Sequence, residues 1–175
     1  MPHEKKVTIY TFDELSDKAK DVARNWYREG ALDYEWWDSI YEDAARVGLE
    51  ITSFDADRGN SITGDFTRGS ENCAELILKE HGKDTDTYKL AAEFLPERQA
   101  LQTEFDSDDD DNEDRRSTRV IDGAIVDLED EFKRAVLEEY LSMLKQEVEY
   151  MMEDEQVDES IRANEYEFLS NGKRA

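Results

Sequence analysis

Apolar and polar positions follow two rhythms along this chain, and each change of rhythm marks a change of element. Residues 5–10 (Lys-Lys-Val-Thr-Ile-Tyr) alternate and are rich in β-branched and aromatic side chains, which predicts a first strand. Thr11 and Glu14 stand three apart with capping-box spacing and predict a short turn. From Ser16, a helix cap, the apolar residues Ala19, Val22, Ala23, Trp26 and Tyr27 recur at three and four, so a helix is expected to about Glu29 with Gly30 as its stop. Asp33 opens a second helical pattern through Trp36, Trp37, Ile40, Tyr41, Ala44 and Val47, closed by Gly48. The short link between these helices predicts an antiparallel pair sharing one apolar seam.

Strand rhythm returns from Leu49 to Phe54 and again from Ser61 to Phe66, joined by the turn-forming residues Asp57-Arg58-Gly59-Asn60. Ser70 caps a third helix through Cys73, Ala74, Ile77 and Leu78, ended by His81-Gly82. A fourth starts near Asp86, where Pro96 is expected to kink or split it. The run Asp106 to Asp114 holds no apolar residue and reads as a loop, with 106–116 a flexible acidic segment. A long helix follows from about Ile121 to Met152, with apolar residues at three-and-four spacing and acids on its outward positions. Asp154 caps a short helix with Val157 and Ile161, Asn164 to Leu169 is a final strand, and 170–175 is a polar tail. The expectation is one α+β domain over residues 1–175. It has a small antiparallel sheet of three or four strands and several helices, including one long acidic C-terminal helix.

Charge sharpens this picture. Forty-six acids against twenty-two bases leave the chain at −24. Residues 122–159 hold 14 acids and 3 bases, so nearly half the surplus sits on the long C-terminal segment. Phosphate backbones are bound with Lys and Arg, so direct nucleic-acid binding is excluded. A disordered solvating chain is excluded too, because 38% hydrophobic and 10% aromatic residues suffice for a core. High-salt adaptation fits poorly with ten lysines beside twelve arginines. One cysteine allows no internal disulfide and suits a reducing compartment. The opening Met1-Pro2-His3-Glu4-Lys5-Lys6 has no apolar run behind it, and no stretch approaches a membrane span. A cytoplasmic protein is expected.

Candidate chemistry is sparse. Asp106, Asp108 and Asp110 alternate like calcium ligands, but positions six and twelve of an EF-hand loop fall on Asp111 and Ser117 instead of Gly and Glu. His3 and His81 are the two histidines, and with one Cys they make no zinc site. His81 reads as a cation at a helix C-terminus, and Cys73 as a small buried hydrophobe. No catalytic motif or phosphate loop is present, so neither an enzyme nor a cofactor or metal is expected. Trp26, Tyr27, Tyr34, Trp36 and Trp37 are expected to cluster across two helices, packed in a core or forming a recognition surface. Since Trp36 and Trp37 are adjacent, one ring should be partly exposed.

Carboxylates on successive turns of a helix lie about 5.4 Å apart, and phosphates along a DNA strand follow at about 3.4 Å of axis. An acidic helix can therefore show a basic groove a pattern like that of a duplex. The candidate partner-binding residues are Glu131, Glu138, Glu139, Glu147 and Glu149, with Asp108, Asp109 and Asp110 of the loop and Trp36 and Trp37.

The opening Phe12-Asp-Glu-Leu-Ser16, then Trp26-Tyr-Arg-Glu-Gly30 and Asp33-Tyr-Glu-Trp-Trp37, resembles a family of small bacteriophage and prophage proteins. The closing Asp154 to Phe168 and the hairpin Arg58 to Phe66 are similar as well; the Asp106–Asp114 loop departs from the pattern. Members are mostly uncharacterised and sometimes labelled antitoxin-like. The resemblance implies a phage protein that manages its host. The expected function is non-enzymatic inhibition of a host defence system, anti-CRISPR or anti-restriction in type. It would work through an acidic, nucleic-acid-mimicking surface that occupies a basic groove. The alternative is an antitoxin-like protein neutralising a basic toxin. The expected partner is a basic host protein, with no membrane, and the oligomeric state stays open, a homodimer included.

Overall fold

The computed structural model describes residues 2–107 and 115–175, and for 115–117 the backbone alone. The fold is α+β and dominated by helices. In chain order come β1 (Tyr10–Thr11), a 3-10 turn (Phe12–Glu14), α1 (Asp17–Gly30), α2 (Asp38–Arg46), β2 (Leu49–Asp55) and β3 (Ser61–Phe66). Then follow α3 (Ser70–Glu80), α4 (Asp86–Ser107), α5 (Arg115–Met152), α6 (Asp154–Ala163) and β4 (Glu167–Phe168). The strands form two separate antiparallel ladders, β1 with β4 and β2 with β3. Where the sequence reading takes 1–175 as one domain, contacts group the chain into two compact units.

The first unit takes in Met1–Trp36 and Gln146–Ala175. Its core joins Phe12 and Leu15 to Ala19 and Ala23 of α1, Val157 and Ile161 of α6, and Phe168 of β4. Ser16 caps α1 as expected, its Oγ accepting from the Ala19 amide at 3.2 Å. The Thr11 amide donates to Glu14 Oε2 at 2.8 Å, the return half of the capping box. Arginines fasten α1 to α6: Arg24 forks onto Asp158 at 2.6 and 2.8 Å, and Arg28 pairs with Asp154 while donating to the Met152 carbonyl at 3.1 Å.

Both outer segments of this unit differ from expectation. The predicted strand at residues 5–10 shrinks to Tyr10–Thr11, because Val7 and Ile9 are exposed and alternation without burial holds nothing in place. Residues 170–175 are no free tail. Arg174 bridges back to Phe168, the Leu169 amide donates to the Lys173 carbonyl at 2.8 Å, and Gly172 is buried against α1.

The second unit spans Trp37–Lys145. Ala44 of α2, Val47 just after it, Leu49 and Ile51 of β2, Ile77 of α3, Phe94 of α4 and Phe132, Val136 and Tyr140 of α5 are buried in one cluster. Phe94 and Phe132 stack at 4.1 Å between centroids, with Phe66 5.9 Å from Phe132. The second helix begins at Asp38 rather than Asp33. Ala19 and Ala23 are buried in the core of the first unit, and Ala44 and Val47 in that of the second. Pro96 does not split α4, which runs unbroken to Ser107. Pro96 removes the donor for the Ala92 carbonyl, but both residues are exposed, so water takes that acceptor.

Asp106 and Ser107 close α4 and Arg115–Arg116 open α5, so the ends of the expected 106–116 loop are helical. Residues 108–114, with the calcium reading placed on them, lie outside the described residues.

Candidate partner-binding surface

The second unit has a polar seam that orders its helices. Tyr140 Oη, fully buried, donates to Asp43 Oδ2 at 2.8 Å, and His81 Nε2 stands 3.1 Å from the same oxygen. His81 Nδ1 lies 2.6 Å from Thr87 Oγ1. Hydroxyl, imidazole and carboxylate thus stand in the order a nucleophile, base and orienting acid would take. Thr87, however, is 1% exposed, so no substrate reaches the hydroxyl, and the chain ties α2, α3, α4 and α5 together. His81 does follow α3 as expected, but its ring serves this bridge. Burial pushes the Tyr140 hydroxyl well above its usual range, with the Asp43 contact adding to it. Cys73 is fully buried and its thiol is pushed up to about 12 by desolvation. Among the described residues no group of three or more His, Cys, Asp or Glu could hold a metal ion, and no helix is long and apolar enough to cross a membrane.

The acids named from the sequence do not form one stripe. Glu131 and Glu138 are exposed, carry no ion pair among the described residues and stand seven residues apart, two turns along one face of α5. Glu139 is turned about 100° from Glu138 and is half-buried. Its carboxyl is raised above the usual range by desolvation first, then by Asp86 and Glu138. Glu147 and Glu149 belong to the first unit, and a two-residue step turns them about 200° from each other. Asp108, Asp109 and Asp110 lie outside the described residues.

Glu131 instead finds company on α4. A groove of about 230 Å³ runs between α4 and α5, floored by Leu90, Phe94, Leu128 and Phe132 and rimmed by Glu93, Glu97 and Glu131. Sequence reasoning missed Glu93 and Glu97. The signal was their four-residue spacing, which puts both on one helix face; the abundance of acids hid it. Behind this rim Arg98 is spent on Glu71 and Glu129, and Lys133 turns to Asp65. Arg98 and Lys133 are thus engaged away from the rim, while the exposed Lys89 and Arg134 stand one turn from Glu93 and Glu131. A second groove, of about 610 Å³, lies between α2 and β2, with Tyr41, Ala45 and Ile51 under a rim of Asp38, Glu42 and Glu50.

The expected aromatic cluster divides. Trp26 packs edge-on to Tyr166 at 5.1 Å and Phe168 at 6.0 Å in the first unit. Trp37 packs on Phe54 at 5.6 Å and Tyr41 at 6.4 Å in the second. Trp36 and Trp37 are both half-buried, and Tyr34 is exposed. No family model matches the chain, and neither the curated proteins nor the solved structures compared with it contain a match.

Proposed function

We propose that this chain is a non-enzymatic binding protein that offers a basic, nucleic-acid-binding protein an acidic surface in place of a nucleic acid. The observation that carries the reading is the α4–α5 groove, where Glu93, Glu97 and Glu131 rim an apolar floor and the neighbouring Arg98 is already paired with Glu71 and Glu129. Rim carboxylates with no ion pair among the described residues supply long-range attraction, and the apolar floor supplies contact area once the partner arrives. The net charge of −24 extends the attraction beyond the groove. The resemblance of the two ends of the chain to phage proteins makes a defence effector of the host, a restriction or CRISPR nuclease, the proposed target.

The test is inhibition of DNA cleavage by a panel of purified nucleases of these two kinds, over a range of salt. Inhibition is expected to fall steeply with salt and to be relieved by excess non-cleavable DNA. The triple variant Glu93→Lys, Glu97→Lys, Glu131→Lys is expected to lose it while keeping its circular dichroism. A ternary complex with DNA still seated in the same groove, or full inhibition by the triple variant, overturns the reading. Neutralisation of a basic toxin without competition from DNA would establish the antitoxin alternative instead.

A further inference from the structure

A second kind of site stands at the end of α1. A cleft of about 330 Å³ is lined there by Trp26, Tyr27, Glu29, Gly30, Asp33 and Tyr166, all within the first unit. That volume is at the lower edge of ligand pockets, about 300–1,000 Å³, and suits one side chain or a small ion with its stem.

Each component of the wall favours a cation for its own reason. Three aromatic rings line the cleft, side chains whose quadrupoles attract positive charge, and Trp26 and Tyr166 stand nearly perpendicular (88°). Glu29 and Asp33 add two exposed carboxylates with no ion-pair partner among the described residues. Gly30 is the last residue of α1, so the negative end of the helix dipole opens at the cleft. Of the cations nearby, Arg28 in the last turn is held by Asp154 and the Met152 carbonyl, and Arg174 lies over the Tyr166 and Trp26 rings.

We propose that this cleft binds a guanidinium group and that its occupant is an arginine side chain of a protein partner. The same rings already accept that group: the Arg174 guanidinium centre lies 4.7 Å from the Tyr166 ring centroid and 5.7 Å from that of Trp26. A planar fork of donors also suits two carboxylates better than a point-charge ammonium does. The identity of the partner rests on the proposed function; the binding of a guanidinium does not.

The experiment is an NMR titration of the isotope-labelled full chain with N-acetyl-arginine amide. N-acetyl-citrulline amide serves as the neutral isostere and N-acetyl-trimethyllysine amide as the competing cation. Saturable shifts at the Trp26 indole N–H and the Gly30 amide are expected with arginine and absent with citrulline. Glu29→Gln with Asp33→Asn should weaken binding about fivefold, the range for two exposed charge pairs. Tyr27→Leu should also weaken it, and spares Trp26, whose ring packs in the core. Equal shifts with citrulline, no saturation, or unchanged binding in these variants overturns the site. Tighter binding of trimethyllysine overturns the guanidinium assignment. Arginine binding without nuclease inhibition would sink the proposed function and leave the site standing, and the converse holds as well.

Discussion

Gly172→Ala gives the sharpest test of how the chain's last residues are held. Gly172 has φ +84°, and a Cβ there would sit 2.0 Å from the Ala19 carbonyl oxygen. The left-handed backbone alone costs a non-glycine residue about 1–2 kcal/mol. The clash costs more, since a carbon–oxygen contact needs about 3.3 Å and the obstacle is helix backbone that cannot rotate away. The segment must therefore lift off α1. Lifting breaks the bonds from the Gly172 amide to the Leu169 carbonyl (2.9 Å), from Leu169 to Lys173 (2.8 Å) and from Ala175 to Glu167 (3.0 Å). At about 1 kcal/mol for each bond, with the Arg174–Tyr166 stack adding about 0.5–1 kcal/mol, undocking caps the loss near 3–4 kcal/mol. Gly69→Ala is the control: φ +90° with ψ 168° is a backbone region nearly exclusive to glycine, but nothing lies within 4 Å of its Cβ, so only a backbone cost of about 1–3 kcal/mol applies. Denaturant-dependent amide exchange, read on α1 and α6 for Gly172 and on α3 for Gly69, measures both. Residues 173–175 should also exchange at unprotected rates in Gly172→Ala. A loss no larger than that of Gly69→Ala, with those amides still protected, would refute the reasoning.

Four further outcomes are expected. Asp158→Ala should destabilise the first unit by about 2 kcal/mol in urea unfolding, because the half-buried Arg24 loses a charged two-pronged partner; a change under a few tenths would show the pair to be ornamental. Glu139→Gln should raise the melting temperature at neutral pH: desolvation raises the native carboxyl above its unfolded value, so its charge opposes folding above that range. That gain should vanish as pH falls through the ordinary glutamate range, and a gain constant with pH would contradict the assignment. The Asp154 carboxyl has the opposite sign, held below the usual range chiefly by its hydrogen bond from Arg28. Its contribution is present at neutral pH and lost on acidification below about pH 4, so α6 amides should lose protection there in wild type and not in Asp154→Asn. Cys73 should resist thiol reagents at pH 8 in the native state and react at the rate at which its core opens; rapid native labelling would contradict its burial.

Local signals were legible wherever the information is local. The Ser16 cap, the β2–β3 hairpin, α3 and the long run of α5 follow from spacing, because capping and helical periodicity involve residues within four of one another. Net charge, too, is a property of composition alone. What the tertiary structure decided is where each element finds its partner. Residues 5–9 alternate like a strand yet stay exposed, since a strand exists only against a neighbour. The polar residues 170–175 read as a tail, yet Gly172 closes onto Ala19 across some 150 residues of chain. Trp26 and Trp37 read as parts of one aromatic cluster, yet Trp26 packs on Phe168 in the first unit and Trp37 on Phe54 in the second. The acids named on α5 are outward by periodicity, but Glu131 becomes part of a groove only because α4 brings Glu93 and Glu97 beside it. The cleft at α1 needs Tyr166 from the far end of the chain. Such pairings are set by the burial of one surface against another distant in sequence, and a one-dimensional pattern carries the faces without naming what covers them.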